Sequence, residues 1–167
     1  MRRVVILGCS GSGKSTLARA MGERLGLPVV HLDALFWRPG WEEPDDNDAF
    51  RAKVAAAIAG DAWITDGNYV GRTFDLRLPR ADLVIYLDQP RRVCLWRVLR
   101  RWWTDRGKTR ADLADGCFEN LDWEFTQWVW TFEHKSRPRI EAEAARYGVP
   151  TVVLSGDKAM ADFLAGL

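Results

Sequence analysis

The stretch Val4-Val5-Ile6-Leu7-Gly8-Cys9-Ser10-Gly11-Ser12-Gly13-Lys14-Ser15-Thr16 joins a short apolar run to a helix start through a glycine-rich turn. Gly8 to Ser15 fits G-x-x-x-x-G-K-[ST], and it stands where that motif's mechanism requires, after a strand and before an amphipathic helix. Gly8, Gly11 and Gly13 permit backbone conformations that aim successive N–H groups at phosphate oxygens, and the helix that follows adds its positive dipole end. Lys14 then meets the β- and γ-phosphates as a point charge. Ser15 offers its hydroxyl to Mg2+, which keeps most of its waters and needs few protein oxygens. Thr16 is placed for the α-phosphate. Gly11-Ser12-Gly13 continues as Lys-Ser-Thr and never completes the dinucleotide pattern G-x-G-x-x-G. The expected ligand is ATP with Mg2+, held by Gly8, Cys9, Ser10, Gly11, Ser12, Gly13, Lys14, Ser15 and Thr16.

Working outward, the runs 29–32, 62–65, 83–87 and 151–154 join 4–7 as short Val/Ile/Leu-rich segments that read as strands buried on both faces. Between the first two, Leu17, Met21 and Leu25 repeat at helical spacing, and Gly26-Leu27-Pro28 supplies a stop. Alternating strands and helices imply an α/β fold with a parallel sheet, whose ligands sit beyond the strands' carboxyl ends, at Gly8, Asp33, Asp66 and Asp88. The 167 residues fit one domain, with an acceptor flap at about 34–60, turn-rich from Pro39 to Asp48, and a lid at about 104–118. A net charge of +1 lacks the whole-molecule field of a dedicated nucleic-acid binder. Three cysteines, Cys9, Cys94 and Cys117, form neither a metal-ligand spacing nor an even disulfide set. The start Met-Arg-Arg is followed by too short an apolar run for a signal or a span, so a cytoplasmic protein is expected, with no membrane partner.

A guanine-reading N-K-x-D is absent from the chain, and Asp88 is followed by Gln89-Pro90 rather than a water-activating glutamate. Neither a G protein nor a motor-type ATPase is indicated. With its G-x-x-G-x-G-K-S-T form and Asp33 at the end of the second strand, the chain resembles the nucleoside-monophosphate and shikimate kinase-like group. More narrowly, His31 to Trp37, Asp66-Gly67-Asn68-Tyr69 and Cys94-Leu95-Trp96-Arg97 look like bacterial adenylate-kinase-related proteins labelled topology modulation proteins, over roughly residues 3 to 140. The resemblance implies a three-layer P-loop NTPase fold with a five-stranded parallel sheet in order 2-3-1-4-5 and a small lid. It also implies transfer of a phosphoryl group from ATP-Mg to a small acceptor, a nucleoside monophosphate among the candidates.

On that reading Asp33 is the base or acceptor anchor, against a plain helix-cap role, and Trp37, by its proximity to Asp33, is the tryptophan expected to contact the acceptor. Asp66 and Asn68 hold the acceptor or, alternatively, form an ordinary tight turn with Tyr69 packed on the core. Arg72 clamps an acceptor anion or pairs with Asp75. Asp88 resembles the aspartate that orients Mg2+ through water, which makes Ser15 and Asp88 the metal candidates.

Arg91, Arg92, Arg97, Arg100, Arg101, Arg106, Lys108 and Arg110 crowd one stretch. A helical wheel places Cys94, Leu95, Val98, Leu99, Trp102 and Trp103 on one face and Arg97, Arg100 and Arg101 on the other. Lid arginines in similar kinases close over ATP, so Arg97 and Arg101 join Lys14 and Asp33 as catalytic candidates; a solvated basic face is the alternative. A third reading, arginines among Trp96, Trp102 and Trp103 stacking on single-stranded nucleic acid, is weakened by their separation on the wheel. It feeds a rival function, an ATP-binding regulator of DNA topology or transcription. Ser155-Gly156-Asp157-Lys158 is placed beside adenine by the same resemblance, and His31 and His134 read as structural.

Overall fold

A computed structural model describes residues 1–104, 113, 116–117 and 121–167. Five strands, β1 (Arg3–Gly8), β2 (Val29–His31), β3 (Trp63–Asp66), β4 (Leu83–Asp88) and β5 (Thr151–Ser155), form one parallel sheet in order β2-β3-β1-β4-β5. The order expected from the resemblance is the one found. Parallel pairing forces each connection to cross over the sheet, and the helices that do so are α1 (Lys14–Leu25), α2 (Leu32–Phe36), α3 (Asn47–Ala57), α4 (Phe74–Arg77), α5 (Arg91–Thr104), α6 (Trp123–Lys135) and α7 (Arg137–Ala145); α8 (Gly156–Ala165) follows the last strand.

Strand periodicity sorts the core into two layers. Val4, Ile6, Ile64, Ile85 and Leu87 point to one face and pack against Leu17, Ala18 and Met21 of α1 and Phe163 of α8. Val5, Leu7, Trp63, Val84 and Tyr86 point to the other, beneath Phe36, Phe50, Val98, Phe132 and Ile140 from the remaining helices. The central strands β3, β1 and β4 are buried on both faces, as the apolar runs of β1 and β4 require, and β3 buries Thr65 and Asp66 along with Trp63 and Ile64. The edge strands are not: Val153 of β5 is 49% exposed, and the three residues of β2 are half-buried. An edge strand lacks one neighbour, so its outer flank and face stay wet.

The second strand also stops one residue early. His31 ends it, Leu32 opens α2, and Asp33 stands in the first turn of that helix instead of closing the strand. Gly26, at φ +64°, ends α1 with its N–H on the Gly22 carbonyl, as the Gly-Leu-Pro stop predicts. The flap begins at α2 and runs to α3, where Asp46 caps the helix by accepting from the Asp48 N–H at 2.8 Å. Most of the expected lid, including Arg106, Lys108 and Arg110, lies outside the described residues. Of its tail, Gly116 accepts from the Gly40 N–H at 3.1 Å, and the Cys117 thiol donates to the Arg38 carbonyl at 3.1 Å, which ties it to the flap. All three cysteines are free and buried. Among the described residues no helix is long and apolar enough to cross a membrane.

Gly22 shows how tightly α1 is seated. Alanine is ordinarily the better helix former by about 1 kcal/mol. A Cβ at Gly22 would lie 2.5 Å from Val29 Cγ2 and 3.0 Å from the Leu27 carbonyl oxygen. Overpacking of that kind costs about 1–3 kcal/mol, so Gly22→Ala is expected to lower stability despite the propensity gain. Urea titration checks this, and a variant more stable than the parent would show that α1 can shift off β2.

Candidate active site

Two of the loop glycines are required by their neighbours as well as by the backbone. Gly8 has φ +145°, and a Cβ on it would sit 2.8 Å from the Leu87 carbonyl oxygen. Gly11 has φ +79°, and its Cβ would be 2.4 Å from the Cys94 carbonyl oxygen at the start of α5. The loop therefore lies flat on the ends of β4 and α5. Gly13 precedes α1 in a left-handed conformation; the helix has no side-chain cap and no acidic residue in its first turn. Its first N–H groups remain available to an anion. Lys14 reaches back so that Nζ donates to the Cys9 carbonyl at 2.9 Å, and the Ser12 N–H donates to the same oxygen at 3.2 Å. Ser12 is buried with its hydroxyl lacking a partner.

A cavity of about 560 Å³ opens over this loop. Ser10, Gly11, Gly13, Lys14, Ser15 and Thr16 form its floor, Arg97 and Arg101 one wall, Asp33 another, and Met160 and Leu164 of α8 an apolar side. Arg97 is braced: its Nη2 donates to both Asp157 oxygens at 2.7 and 2.6 Å, and Gln89 Nε2 donates to the same carboxylate at 2.8 Å. The Arg97 hydrogen bond is the main reason the Asp157 carboxyl lies below its ordinary value. Arg97 Nη1 also donates to the Gly11 carbonyl at 3.4 Å, touching the loop directly.

The turn after β3 wires the rest of the site. Asp66 is 5% exposed and takes a hydrogen bond from His31 Nδ1 at 2.9 Å. Burial works to raise its pKa, but the bond from His31, the charge of Lys14 and a bond from Ser15 outweigh it, leaving the carboxyl below the usual range. Asn68 spends its side chain on the loop: Oδ1 accepts from the Gly8 N–H at 3.0 Å, and Nδ2 donates to the Gly8 carbonyl at 2.9 Å. Tyr69, at φ +45°, donates its hydroxyl to Asp33 Oδ1 at 2.6 Å. Burial, then the Asp33 charge, push that phenol well above its ordinary value, so it stays protonated as a donor. Behind the turn lies Arg77, fully buried, its pKa drawn down by burial to about 9 with the Asp66 carboxylate opposing.

Not every sequence candidate meets the cavity. Cys9 is buried with its thiol toward the Val129 carbonyl, and Gly8 lies beneath the loop. Trp37 packs edge-on against Phe36 at 4.9 Å and near Trp41 at 5.4 Å, in the flap. Arg72 pairs with Glu43 at 3.0 Å and lies over the Phe36 ring, while Asp75, its alternative partner from sequence, is taken by Arg51 at 2.6 Å. Asp88 accepts from Arg137 at 2.7 Å and from the Ser155 hydroxyl at 3.3 Å, and it lines a second cavity of about 570 Å³ away from the phosphate loop. The carboxylate whose charged form Ser15 helps to stabilise is Asp66. Arg77 was missed altogether, since a lone arginine in Asp-Leu-Arg-Leu carries no signal of burial; the pairing of Arg97 with Asp157 joins segments 60 residues apart.

The α5 wheel is also revised. Cys94 and Val98 are buried, but Trp96 is 57% exposed, Leu99 40% and Trp103 72%, with Arg100 over the Trp96 ring. Arg97 and Arg101 turn toward the cavity, so the outer face mixes arginine with tryptophan.

Among the described residues no three His, Cys, Asp or Glu side chains form a metal cage. Ser15 and Asp33 line the cavity and carry hard oxygens of the kind that Mg2+ takes beside phosphate and water, an ion that needs only one or two protein ligands.

Comparison with known proteins agrees with this geometry. No protein-family model matches the chain. A shikimate kinase from Symbiobacterium thermophilum is 36% identical over 98 residues, which cover 51% of this chain and 56% of that protein. The chain thus spans little more than half the length of that curated relative. Among solved structures, a gluconokinase from Sinorhizobium meliloti 1021 superposes with a TM-score of 0.60 at 21% identity, over 98% of this chain and 87% of that one. A shikimate kinase from Acinetobacter baumannii in complex with shikimate gives 0.62 at 15% identity, over 99% and 90%. A deoxyadenosine kinase from M. mycoides with bound dATP gives 0.54 at 15%, over 98% and 97%. The chain has the fold of the P-loop kinases.

The Asp66 environment sets a pH dependence. A carboxyl whose pKa is lowered in the folded state contributes stability that is present above its unfolded value, about 3.9, and is lost as pH falls through the folded one. Stability of the parent is expected to drop below about pH 4, and Asp66→Asn to show a shallower drop over that interval. Urea titrations from pH 3 to 7 measure it; parallel curves would remove Asp66 from the account.

Proposed function

We propose that the chain is an ATP-dependent phosphotransferase that moves the γ-phosphoryl group of ATP to a hydroxyl of a small acceptor. One observation carries this reading: the glycine-rich loop, Lys14, Arg97, Arg101 and Asp33 all face one cavity, with phosphate-binding groups on its floor and a carboxylate on its wall. Phosphoryl transfer asks little covalent chemistry of the protein and much positioning and charge stabilisation, which is what this set supplies.

The loop N–H groups and Lys14 bind the phosphates, and Met160 and Leu164 offer the apolar surface that a purine needs. Arg97, steadied by Asp157, and Arg101 meet the charge that spreads over the transferring oxygens. Asp33 Oδ1 is held by the Tyr69 hydroxyl, which orients the carboxylate for the proton of the attacking hydroxyl or for anchoring the acceptor. Ser15, which lines that cavity, would hold Mg2+ with the buried Asp66 carboxylate behind it, and the ion when bound neutralises phosphate charge. Asp88 does not share that cavity, and its metal role would require a rearrangement of Arg137.

Within this reading we favour a hydroxylated metabolite or nucleoside over a nucleoside monophosphate as acceptor. Arg72, the side chain suited to an acceptor phosphate, is committed to Glu43, and the relatives bear the names of shikimate, gluconate and deoxyadenosine kinases. The rival, an ATP-binding regulator acting on nucleic acid, draws on the mixed Trp96, Arg100 and Trp103 surface.

ATP turnover in Mg2+ buffer against a panel of polyols, hydroxy acids, nucleosides and nucleoside monophosphates is the test. An acceptor-dependent rise in ADP is expected, lost by roughly 10²–10³ in Lys14→Ala. Tyr69→Phe is expected to lower kcat about tenfold or more while ATP affinity holds, since it releases Asp33 without touching the loop. ATP binding with no acceptor stimulation, joined to salt-dependent DNA affinity, would favour the regulator instead.

A further inference from the structure

The turn 66–69 makes three outward contacts, and each reaches a different part of the site. Asp66 is stabilised in its charged form by Ser15, Asn68 holds both backbone groups of Gly8, and Tyr69 holds Asp33. Such a turn is not stable by itself. Gly67 has φ +132° and Tyr69 φ +45°, and a left-handed tyrosine persists only where its surroundings over-determine it.

The surroundings that do so converge on one side chain. Arg77, 0% exposed, donates Nη1 to the Gly67 carbonyl at 3.0 Å and to Thr65 Oγ1 at 3.4 Å, Nη2 to the Asn68 carbonyl at 2.6 Å, and Nε to Thr73 Oγ1 at 3.1 Å. Its fork spans the end of β3, the turn and the start of α4. Thr65 Oγ1 in turn donates to the Val4 carbonyl of β1 at 3.5 Å, so the same network touches the strand that leads into the phosphate loop. A buried charge among neutral acceptors is costly, and apolar residues of similar volume often serve stability as well or better. What an apolar residue cannot do is fix two carbonyls of a strained turn.

We propose that Arg77 is a positioning residue for nucleotide binding: its buried guanidinium sets the 66–69 turn and, through the Asn68 amide, the conformation of Gly8 in the phosphate loop. The inference rests on the nucleotide-site reading above. It makes a specific demand on chemistry. Lysine keeps the charge but lacks the planar fork that addresses separated acceptors at once, so Arg77→Lys breaks the alignment even where the fold survives.

The experiment compares MgADP affinity, by calorimetry, and melting temperature in the parent, Arg77→Lys, Asn68→Ala and Leu78→Ala. Leu78 is fully buried next to Arg77 in sequence and takes no part in the turn's hydrogen bonds, so its variant reports the effect of lost stability alone. Arg77→Lys and Asn68→Ala are expected to bind MgADP at least tenfold more weakly, and Leu78→Ala to bind like the parent despite a lower melting temperature. Parent-like binding by folded Arg77→Lys, or an equal loss in Leu78→Ala, overturns the inference. If Arg77→Lys does not fold, Asn68→Ala decides, because it cuts the same connection at Gly8. A parent that does not bind MgADP overturns the site reading itself, and the inference falls with it.

Discussion

Parallel pairing of β1 with β3 ends at Ile6 and Asp66, and Gly8 lies just beyond the last rung. A buried backbone group left unpaired there would cost about 1–3 kcal/mol. The Asn68 side chain takes both the N–H and the carbonyl of Gly8, continuing the ladder by one step with an amide in place of a strand. On this reciprocal pairing the rest of the site depends. It sets the backbone at the first loop glycine, fixes the spacing between the loop and the 66–69 turn, and leaves Asp66 and Tyr69 free to address Ser15 and Asp33.

The fold was legible because its strongest signals are local. The central strands β1 and β4 carry continuous apolar runs, which burial on both faces explains, and the glycine-rich loop stands between a strand and a helix. The site was legible where function needs a fixed spacing, as in Gly8 to Thr16. It was opaque where a side chain's role depends on what lies across the fold. Asn68 carries the same composition whether it binds a ligand or a backbone. Arg77 reads as a surface arginine until Thr65, Gly67, Asn68 and Thr73 are seen around it. Asp88 ends an apolar strand as a metal-orienting aspartate does, yet Arg137 from a distant helix already answers its charge.

The wheel for α5 misplaced two residues for a related reason. It sorts side chains by hydrophobicity and assumes that one apolar face meets one core. Here the P-loop presses on the Cys94 carbonyl, so the inner side of the helix is divided between the core, which takes Cys94 and Val98, and the cavity, which takes Arg97 and Arg101. Arg97 and Arg101 hold the positions that border the cavity. Trp96, Leu99 and Trp103 lie on the outer side.

The cations of the site differ in what they must release to meet a phosphate. Lys14 Nζ donates to a neutral carbonyl, that of Cys9, at 2.9 Å. Arg97 donates Nη2 to both oxygens of the Asp157 carboxylate, a charge-assisted and stronger bond, and Nη1 to the Gly11 carbonyl, which together orient the guanidinium beside the loop. Exchange of a carbonyl for a phosphate oxygen gains charge attraction with little lost, whereas Arg97 would forfeit an ion pair. Lys14 is therefore the cation suited to follow the phosphate as charge moves, and Arg97 the one suited to stay in place. The two side chains thus stand differently beside the loop, one on an exchangeable neutral partner and one held by a carboxylate.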